Sequence, residues 1–313
     1  MAKIWEEYLS YRLFGIYVRL TTRTCFLSIK SEGLENIPKD GAVLLAPNHC
    51  ATLMDPLLIL MATRPRLVAF GARSDIFRKP KVAKILHWLR IVPIARERNG
   101  LSEVAKNFEV FDDIIECMDH DVPFCLFAEG THRAERGMMP VKKGIFRLAK
   151  MAVDQLEKPV YVVPVGLDYE DFFRGYGRTA VRFGEPILMN EAFARKDISE
   201  ARLYQDLCEE LRNRDLALIG RIPERCHKLL PLRILLALIT LPLFAVCAVG
   251  GLPIWLTHLL MMRKMKDKAW SHTVRFALHF VFPLFWIFQF GFGVLLNFYR
   301  NIIEDLRPRS AQQ

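Results

Sequence analysis

The chain has 313 residues, enough for one large domain or two modest ones with a full hydrophobic core. Hydrophobic residues make up 52% of it and its mean hydropathy is +0.15, so it is more apolar than a typical soluble enzyme. The net charge is +10, and residues 231–313 carry nine Lys and Arg against three Asp and Glu. Because this charge accompanies apolar segments and no basic helix carries interleaved aromatics, it indicates anionic lipid headgroups and disfavours a nucleic-acid partner.

The seven cysteines are scattered along the chain, without a C-x-x-C pair or a histidine at metal-ligand spacing. An odd, unpatterned set in a chain of this length indicates reduced thiols in the cytosol. The sequence therefore predicts neither a metal site nor a resident cofactor. The first residues have acidic side chains within their apolar stretch and no small-residue cleavage site, so we expect no secretory signal peptide.

Residues 1–28 are predicted to form an amphipathic helical segment. Apolar side chains, many of them Tyr and Phe, recur at helical spacing with arginines between them. A helix of this kind can lie at a membrane interface with its aromatic face buried in the lipid. The same pattern also suits a helix packed on the protein's own sheet, and the sequence leaves both interpretations open.

Residues 29–220 alternate short apolar strands with longer helical stretches. We predict strands at 42–46, 67–70, 91–94, 124–127, 160–165 and 179–183, and helices at 56–62, 76–89, 101–118, 144–156 and 199–218. Buried strands separated by helices predict an α/β domain, a mostly parallel sheet flanked by helices. Ligands bind such sheets where loops leave the strand ends, and the polar motifs of this chain occur there.

Residues 221–233 are predicted to be a basic linker, 234–300 a hydrophobic helical membrane module and 301–313 a tail. The module contains two uncharged segments of 29 and 24 residues, 234–262 and 276–299. About 20 apolar residues cross a bilayer, so either segment could span one. Prolines and glycines inside them also permit broken or re-entrant helices, and a hydrophobic docking surface or dimer interface is a further alternative.

Two full spans would place the α/β domain and the tail on the same side of the membrane. Seven basic residues lie near the spans on that side, against five in the connecting loop. Since positive charge favours the cytoplasmic side, the sequence predicts a membrane protein whose α/β domain faces the cytoplasm.

The sharpest polar motif is N-H-C-A-T-L-M-D-P, residues 48–56, directly after a predicted strand. Histidine ordinarily titrates near neutral pH, so His49 is a candidate general base, and a carboxylate from Asp55 could fix its tautomer. The two lie six positions apart, so the chain must turn back between them to bring them together. Taken alone, the motif favours an ordinary histidine followed by Asp55 as a helix N-cap and Pro56 at the first helical position.

A second polar motif, F-A-E-G-T-H-R, ends the fourth predicted strand. Gly130 allows the backbone to approach a ligand or to take a positive φ. Glu129 and Thr131 can bind hydroxyl groups, and His132 or Arg133 can neutralise a phosphate. As a lone motif it would also describe a polar turn with a solvated arginine.

Three further features carry candidate binding residues. The third predicted strand delivers Arg96 to a loop, where a guanidinium suits bidentate phosphate recognition, although an exposed surface arginine is commoner. Lys142 and Lys143 open a predicted helix, where ammonium and backbone N–H groups would suit an anion. Pro164, inside the fifth strand, could shape an apolar wall or mark an edge strand.

In kind and order these motifs resemble the four blocks of the glycerophospholipid acyltransferase family, which includes glycerol-3-phosphate and 1-acylglycerol-3-phosphate acyltransferases. The family's blocks are N-H followed by D, an apolar strand ending in Arg, F-P-E-G-T, and a V-P-V strand. Here they are residues 48–55, 91–96, 127–131 and 163–165. The resemblance implies that His49 and Asp55 are catalytic and that Arg96, Glu129 and Gly130 bind the acceptor. We add Asn48, Lys142 and Lys143 as candidate substrate-binding residues and Pro164 as a candidate wall of the acyl pocket.

Two departures from the family pattern bear on the acceptor. Five residues separate His49 from Asp55 instead of the commoner four. This N-H-x5-D-P form resembles a branch that includes fungal-type glycerol-3-phosphate/dihydroxyacetone-phosphate acyltransferases and bacterial relatives. The third block also lacks the family's phosphate-contacting arginine at its usual position, which is His132 here, with Arg133 next to it.

The resemblance implies membrane-bound transfer of a fatty acyl group from a thioester, acyl-CoA or acyl carrier protein, to glycerol-3-phosphate or 1-acylglycerol-3-phosphate in phospholipid synthesis. The acceptor hydroxyl, deprotonated by His49, would attack the thioester directly, since the sequence has no G-x-S-x-G nucleophile elbow. Alternatives are lysophospholipid remodelling or an amino-acid-lipid acceptor. A non-catalytic membrane lipid-binding protein is the alternative from another class.

Overall fold

The computed structural model describes residues 3–6, 8–95, 107–222 and 229–306. Within these ranges the strands are β1 (Ser28–Glu32), β2 (Ala42–Pro47), β3 (Ala69–Arg73), β4 (Ile91–Ile94), β5 (Phe124–Cys125), β6 (Val160–Tyr169), β7 (Arg178–Phe183) and β8 (Ile187–Leu188). The helices around them are α1 (Leu9–Arg23), α2 (Met54–Ala62), α3 (Pro80–Trp88), α4 (Asn107–Asp119), α5 (Gly144–Gln155), α6 (Met189–Ala194) and α7 (Glu200–Leu218). The C-terminal helices are α8 (Leu230–Lys264), α9 (Ser271–Val281) and α10 (Trp286–Leu306).

The strands form a single mixed sheet in the order β1-β7-β6-β2-β5-β3-β4, with β8 also paired to β6. Strands β6, β2, β5, β3 and β4 are mutually parallel, whereas β7 and β8 run antiparallel to β6. The predicted α/β class with a mostly parallel sheet is confirmed, and each predicted strand is present. Strand β1, half-exposed at the sheet edge, and the two-residue β8 were not predicted because neither is an apolar run.

Helices cover both faces of the sheet, as a parallel sheet requires. All six residues of β2 are buried, and its neighbours Leu44 and Leu45 point into different core clusters. Leu44 packs with α4, α5 and α7, and Leu45 packs with α2 and with Phe276 of α9. Strand β2 is therefore a rigid central element, and the residues that follow it are held at a fixed point.

The N-terminal helix α1 packs one face on the protein and leaves another face exposed. Its aromatic face packs on the protein, where Phe14 contacts the rings of Trp88 and Phe280 edge-on and Tyr17 donates a hydrogen bond to the Phe280 carbonyl. Its other face carries a stripe of exposed apolar side chains at helical spacing, namely Leu9, Leu13, Ile16 and Leu20. We call these four residues the α1 stripe.

The two hydrophobic segments of the C-terminal module differ in structure. Helix α8 runs unbroken through Pro242 and Pro253 and is long and apolar enough to cross a membrane, so of the two forms that the sequence permitted it takes the unbroken one. The second segment is broken at Pro283, where α9 and α10 meet with a bend of 103°. It is therefore not a straight span.

The C-terminal module is docked on the α/β domain. Helix α9 is largely buried, the Ser271 hydroxyl donates to the Phe173 carbonyl at 2.7 Å, and the Asn297 side chain donates to the Gly175 carbonyl at 2.7 Å. Two full spans would have placed the loop between α8 and α9 across the membrane from the α/β domain. The loop instead lies against that domain, which contradicts the two-span arrangement.

Candidate active site

The His49–Asp55 pair forms where β2 leads into α2. The chain turns back between the two residues at Thr52, whose φ of +49° lies in the left-handed region. That region is unfavourable for a β-branched residue, at a cost of about 1–3 kcal/mol, and persists only where the surroundings enforce it. Here the Thr52 hydroxyl is hydrogen-bonded to the hydroxyl of Thr273 on α9 at 2.6 Å. The turn brings His49 Nδ1 to 2.7 Å from Asp55 Oδ2.

The Asp55 carboxylate is fully buried and is surrounded by donors. Oδ2 accepts from the backbone N–H groups of Cys50 and Ala51, both at 2.8 Å, as well as from His49. Oδ1 accepts from the Tyr169 hydroxyl at 2.6 Å. The helix-cap interpretation is wrong, because α2 begins at Met54 and no side chain caps it. Asp55 instead holds the proton on Nδ1 of His49 and leaves Nε2 as the basic atom.

His49 reaches the surface of the site while its partner does not. The exposed fraction of its side chain is 18%, against 0% for Asp55. Its ring stacks on Phe127 with centroids 4.1 Å apart, and the centroid of the His132 ring lies 5.5 Å away in an edge-on arrangement. The imidazole is therefore fixed on three sides and open on the side that an acceptor would approach.

We call His49 and Asp55 the dyad. Glu129 is buried behind the loop that carries them, where its Oε1 accepts from the backbone N–H of His49 at 2.8 Å. Burial raises the pKa of Glu129 to about 7, against the opposing effect of hydrogen bonds from the backbone of His49 and Met139. Gly130 has a φ of +70°, the positive value expected of a glycine there. The carboxylate thus ties two strand-end loops together.

Asn48, a predicted substrate-binding residue, is buried and bonded within the protein. Its side-chain Oδ1 accepts from the Leu167 N–H at 2.7 Å and its Nδ2 donates to the Leu167 carbonyl at 3.1 Å. Pro164 is buried within β6 where that strand changes partner from β8 to β7, so it does not mark an edge strand. Its predicted place in an acyl pocket stays a prediction.

The other predicted binding residues lie at the rim of the site. Thr131, Arg133, Lys142 and Lys143 are exposed. Arg133 donates its backbone N–H to the His49 carbonyl at 3.1 Å while its guanidinium pairs with Glu135. Arg96 lies outside the described residues.

Several contacts at the site could not be found from sequence. Tyr169 reaches Asp55 from 114 positions away, and Asp267 Oδ2 lies 2.7 Å from His132 Nε2 across 135 positions. The buried His272 of α9 stacks on the Tyr169 ring at 5.5 Å. No local pattern marks these residues, because their partners are brought to them by the fold alone.

The chemistry available at this site is proton transfer by His49. The neighbouring thiol of Cys50 is buried, and burial together with Asp55 raises its pKa well above the ordinary value, so it stays protonated and is a poor nucleophile. Within the described ranges, no group of three or more His, Cys, Asp or Glu side chains could hold a metal ion.

Comparison with known proteins gives three matches. The model of the family described as Acyltransferase matches residues 28–168. A curated 1-acyl-sn-glycerol-3-phosphate acyltransferase alpha of Mus musculus is 28% identical over 168 residues, which are 51% of this chain and 51% of the relative. The chain thus spans about half the length of that relative. The crystal structure of the 1-acyl-sn-glycerophosphate (LPA) acyltransferase PlsC from Thermotoga maritima has a TM-score of 0.49 and 22% identity, and the match covers 69% of this chain and 81% of that one.

Proposed function

We propose that this chain is a member of the glycerophospholipid acyltransferase family and that it moves a fatty acyl group from a thioester to the hydroxyl of a glycerol-phosphate-type acceptor, as the match of residues 28–168 to the Acyltransferase family model supports. The observation that carries the proposal is the His49–Asp55 pair, a basic Nε2 open to the site and backed by a buried carboxylate. Acyl-CoA or acyl carrier protein would be the donor, and glycerol-3-phosphate or 1-acylglycerol-3-phosphate the acceptor.

The proposed reaction is a direct displacement. His49 Nε2 takes the proton of the acceptor hydroxyl as its oxygen bonds to the thioester carbonyl carbon. The tetrahedral intermediate collapses, the C–S bond breaks, and the leaving thiolate takes the proton from the His49 imidazolium. Asp55 stabilises that imidazolium between the two steps, and its four hydrogen bonds keep it in place.

Cationic groups at the rim support a phosphate-bearing acceptor. Arg133 follows Gly130 in the same loop, the Lys142 side chain lies beside Gly130, and Lys142 and Lys143 precede the N-terminus of α5, where backbone N–H groups favour an anion. We assign Arg96 to the same phosphate by family resemblance. The second candidate is an acceptor without a phosphate, which the carboxylate of Asp267 favours because it lies beside His132, where the family pattern has arginine.

We further propose that the enzyme acts at a phospholipid membrane. The apolar surface of α8 and the α1 stripe would both be covered by lipid. A cavity beside α1 is lined by Arg12, Arg19, Arg64 and Arg66, which suits anionic headgroups. Six cysteines in the described residues are free thiols, which supports a catalytic domain on the cytoplasmic side. In this arrangement residues 1–28 and 234–300 are membrane-contacting segments around the domain at 29–220.

An acceptor panel tests the proposal. The purified full chain in detergent is given labelled acyl-CoA or acyl carrier protein with glycerol-3-phosphate, dihydroxyacetone phosphate, lysophosphatidate or a neutral lysolipid. We expect labelled product with a phosphate-bearing acceptor. Product only with the neutral lysolipid would overturn the phosphate assignment, and acceptor binding without product from any donor would indicate a lipid-binding protein.

A further inference from the structure

We infer that the C-terminal module completes the acceptor side of the active site, with Asp267 as a positioning residue that holds His132 beside His49. The inference rests on the proposed function for its kinetic consequence. Asp267 lies in the loop between α8 and α9, well beyond residues 28–168 that match the family model. This region contributes to the site through contacts that the shared motifs do not contain.

The two carboxylate oxygens of Asp267 have different partners. Oδ2 lies 2.7 Å from His132 Nε2, and Oδ1 accepts from the Ala269 N–H at 2.9 Å. Partial burial alone would raise the pKa of Asp267, but the hydrogen bonds from His132 and Ala269 lower it below its ordinary value. The carboxylate is therefore ionised and fixed in orientation when it meets the imidazole.

His132 is held on several sides. The centroids of the Trp270 and His132 rings lie 6.4 Å apart at an interplanar angle of 86°, and the centroid of the His49 ring lies 5.5 Å from that of His132. With Nε2 engaged by Asp267, Nδ1 is the ring nitrogen left for a ligand. A partly exposed imidazole would otherwise sample several rotamers, so the module supplies its orientation before the acceptor binds.

Two more contacts join the same module to the dyad's supports. Thr273 holds the left-handed Thr52 between His49 and Asp55, and His272 stacks on Tyr169, which donates to Asp55. With the Asp267 contact, the module reaches the dyad turn, the strand beneath it and the loop of His132. A C-terminal module that served only as a membrane anchor would not need contacts at all three places.

The test compares Asp267→Asn, His132→Ala and the double variant in the full chain. Asn can keep the hydrogen bond to Ala269, but its amide carries no charge for His132. We expect Asp267→Asn to raise the KM for the acceptor about tenfold, the size of one charge-assisted hydrogen bond. We expect kcat and the KM for the donor to change little. The double variant should be no worse than His132→Ala alone, since Asp267 acts through that ring.

Asp206→Asn is the matched control, because it removes a surface carboxylate from an ion pair with Arg202 on α7. An acceptor KM for Asp267→Asn equal to that of the control, or additive effects in the double variant, would overturn the inference. A wild-type chain that turns over no acceptor defeats the proposed function instead.

The contact between Asp267 and His132 can also be tested without measuring enzyme activity. A chain with His132→Cys and Asp267→Cys is treated with a short bifunctional maleimide and then digested with trypsin. We expect the two peptides to stay joined, and to separate in each single variant. Failure to join in the folded double variant would overturn the inference whatever the activity.

Discussion

The core of the active site and its rim each contain a histidine–aspartate pair with the same spacing, 2.7 Å between nitrogen and oxygen. Their surroundings differ, because Asp55 is 0% exposed with four donors and Asp267 is 51% exposed with two. A buried carboxylate that loses its partners is costly, whereas an exposed pair contributes little to stability. One contact geometry thus occurs in two different surroundings, which fits the two roles that we propose, proton transfer for the buried pair and side-chain placement for the exposed one.

The largest expected effect is on the chemical step. His49→Ala should lower kcat about a thousandfold, because a positioned general base contributes 10²–10⁴-fold. The measurement is labelled product at saturating donor and acceptor. His87→Ala on α3, outside the site, is the control and should keep the wild-type rate. If His49→Ala has the wild-type melting temperature and a kcat within about tenfold of wild type, His49 is not the general base.

Stability should separate the two pairs directly. Asp55→Ala leaves the Tyr169 hydroxyl and two backbone N–H groups without their acceptor, and we expect the free energy of unfolding to fall by about 3–5 kcal/mol. Asp267→Ala should cost about 1 kcal/mol, from the loss of an exposed pair and of the hydrogen bond from the Ala269 N–H. Denaturant titration in detergent gives both values. If Asp55→Ala and Asp267→Ala lose the same free energy of unfolding, burial does not distinguish the two histidine–aspartate pairs.

Glu129 gives the core a pH dependence of opposite sign to that of the rim, because the pKa of Glu129 is raised whereas that of Asp267 is lowered. Its folded-state pKa of about 7 lies above the ordinary 4.5, so its contribution to stability is full below pH 4.5 and is lost as the pH rises through about 7. The loss should amount to about 3 kcal/mol, since one pKa unit corresponds to about 1.4 kcal/mol. Glu129→Gln should flatten the unfolding free energy between pH 4.5 and 8 relative to wild type. If the unfolding free energies of the wild type and Glu129→Gln change with pH in the same way, Glu129 is not the source of the pH dependence.

The smallest effect should follow from one hydroxyl. Tyr169→Phe removes the donor to Asp55 Oδ1 and keeps the ring that stacks on His272. We expect a loss of about 1.5–2 kcal/mol in stability and about tenfold in kcat, as for one hydrogen bond to a charged group. Tyr161→Phe, the same change on the same strand, is the control. If the two variants behave alike, Tyr169 does not support the dyad.

Sequence predicted the parts of the site that are local. A buried strand fixes the position of the residue that follows it, so His49 and Glu129 could be placed at neighbouring strand ends from their motifs. Tyr169, Asp267 and Thr273 could not be found, because each contact depends on tertiary packing between distant segments.

For the C-terminal module, too, the tertiary contacts could not be predicted from the sequence. Hydropathy identified both apolar segments but could not tell which surface covers them. The start of the second segment, Phe276, packs in the core beside the sheet, and the helix that contains it also buries Arg275. Composition counts apolar side chains and does not distinguish protein from lipid as their surroundings.

The left-handed turn at Thr52 bears on which residues related proteins can carry at this position. Within the five residues that separate His49 from Asp55, Thr52 takes a conformation that threonine adopts only at a cost, and the hydroxyl that steadies it comes from α9. A related chain with the longer spacing but no such helix would lack that support and should carry glycine or asparagine at this position. The turn that pairs His49 with Asp55 therefore depends on the C-terminal helices as well as on its own sequence.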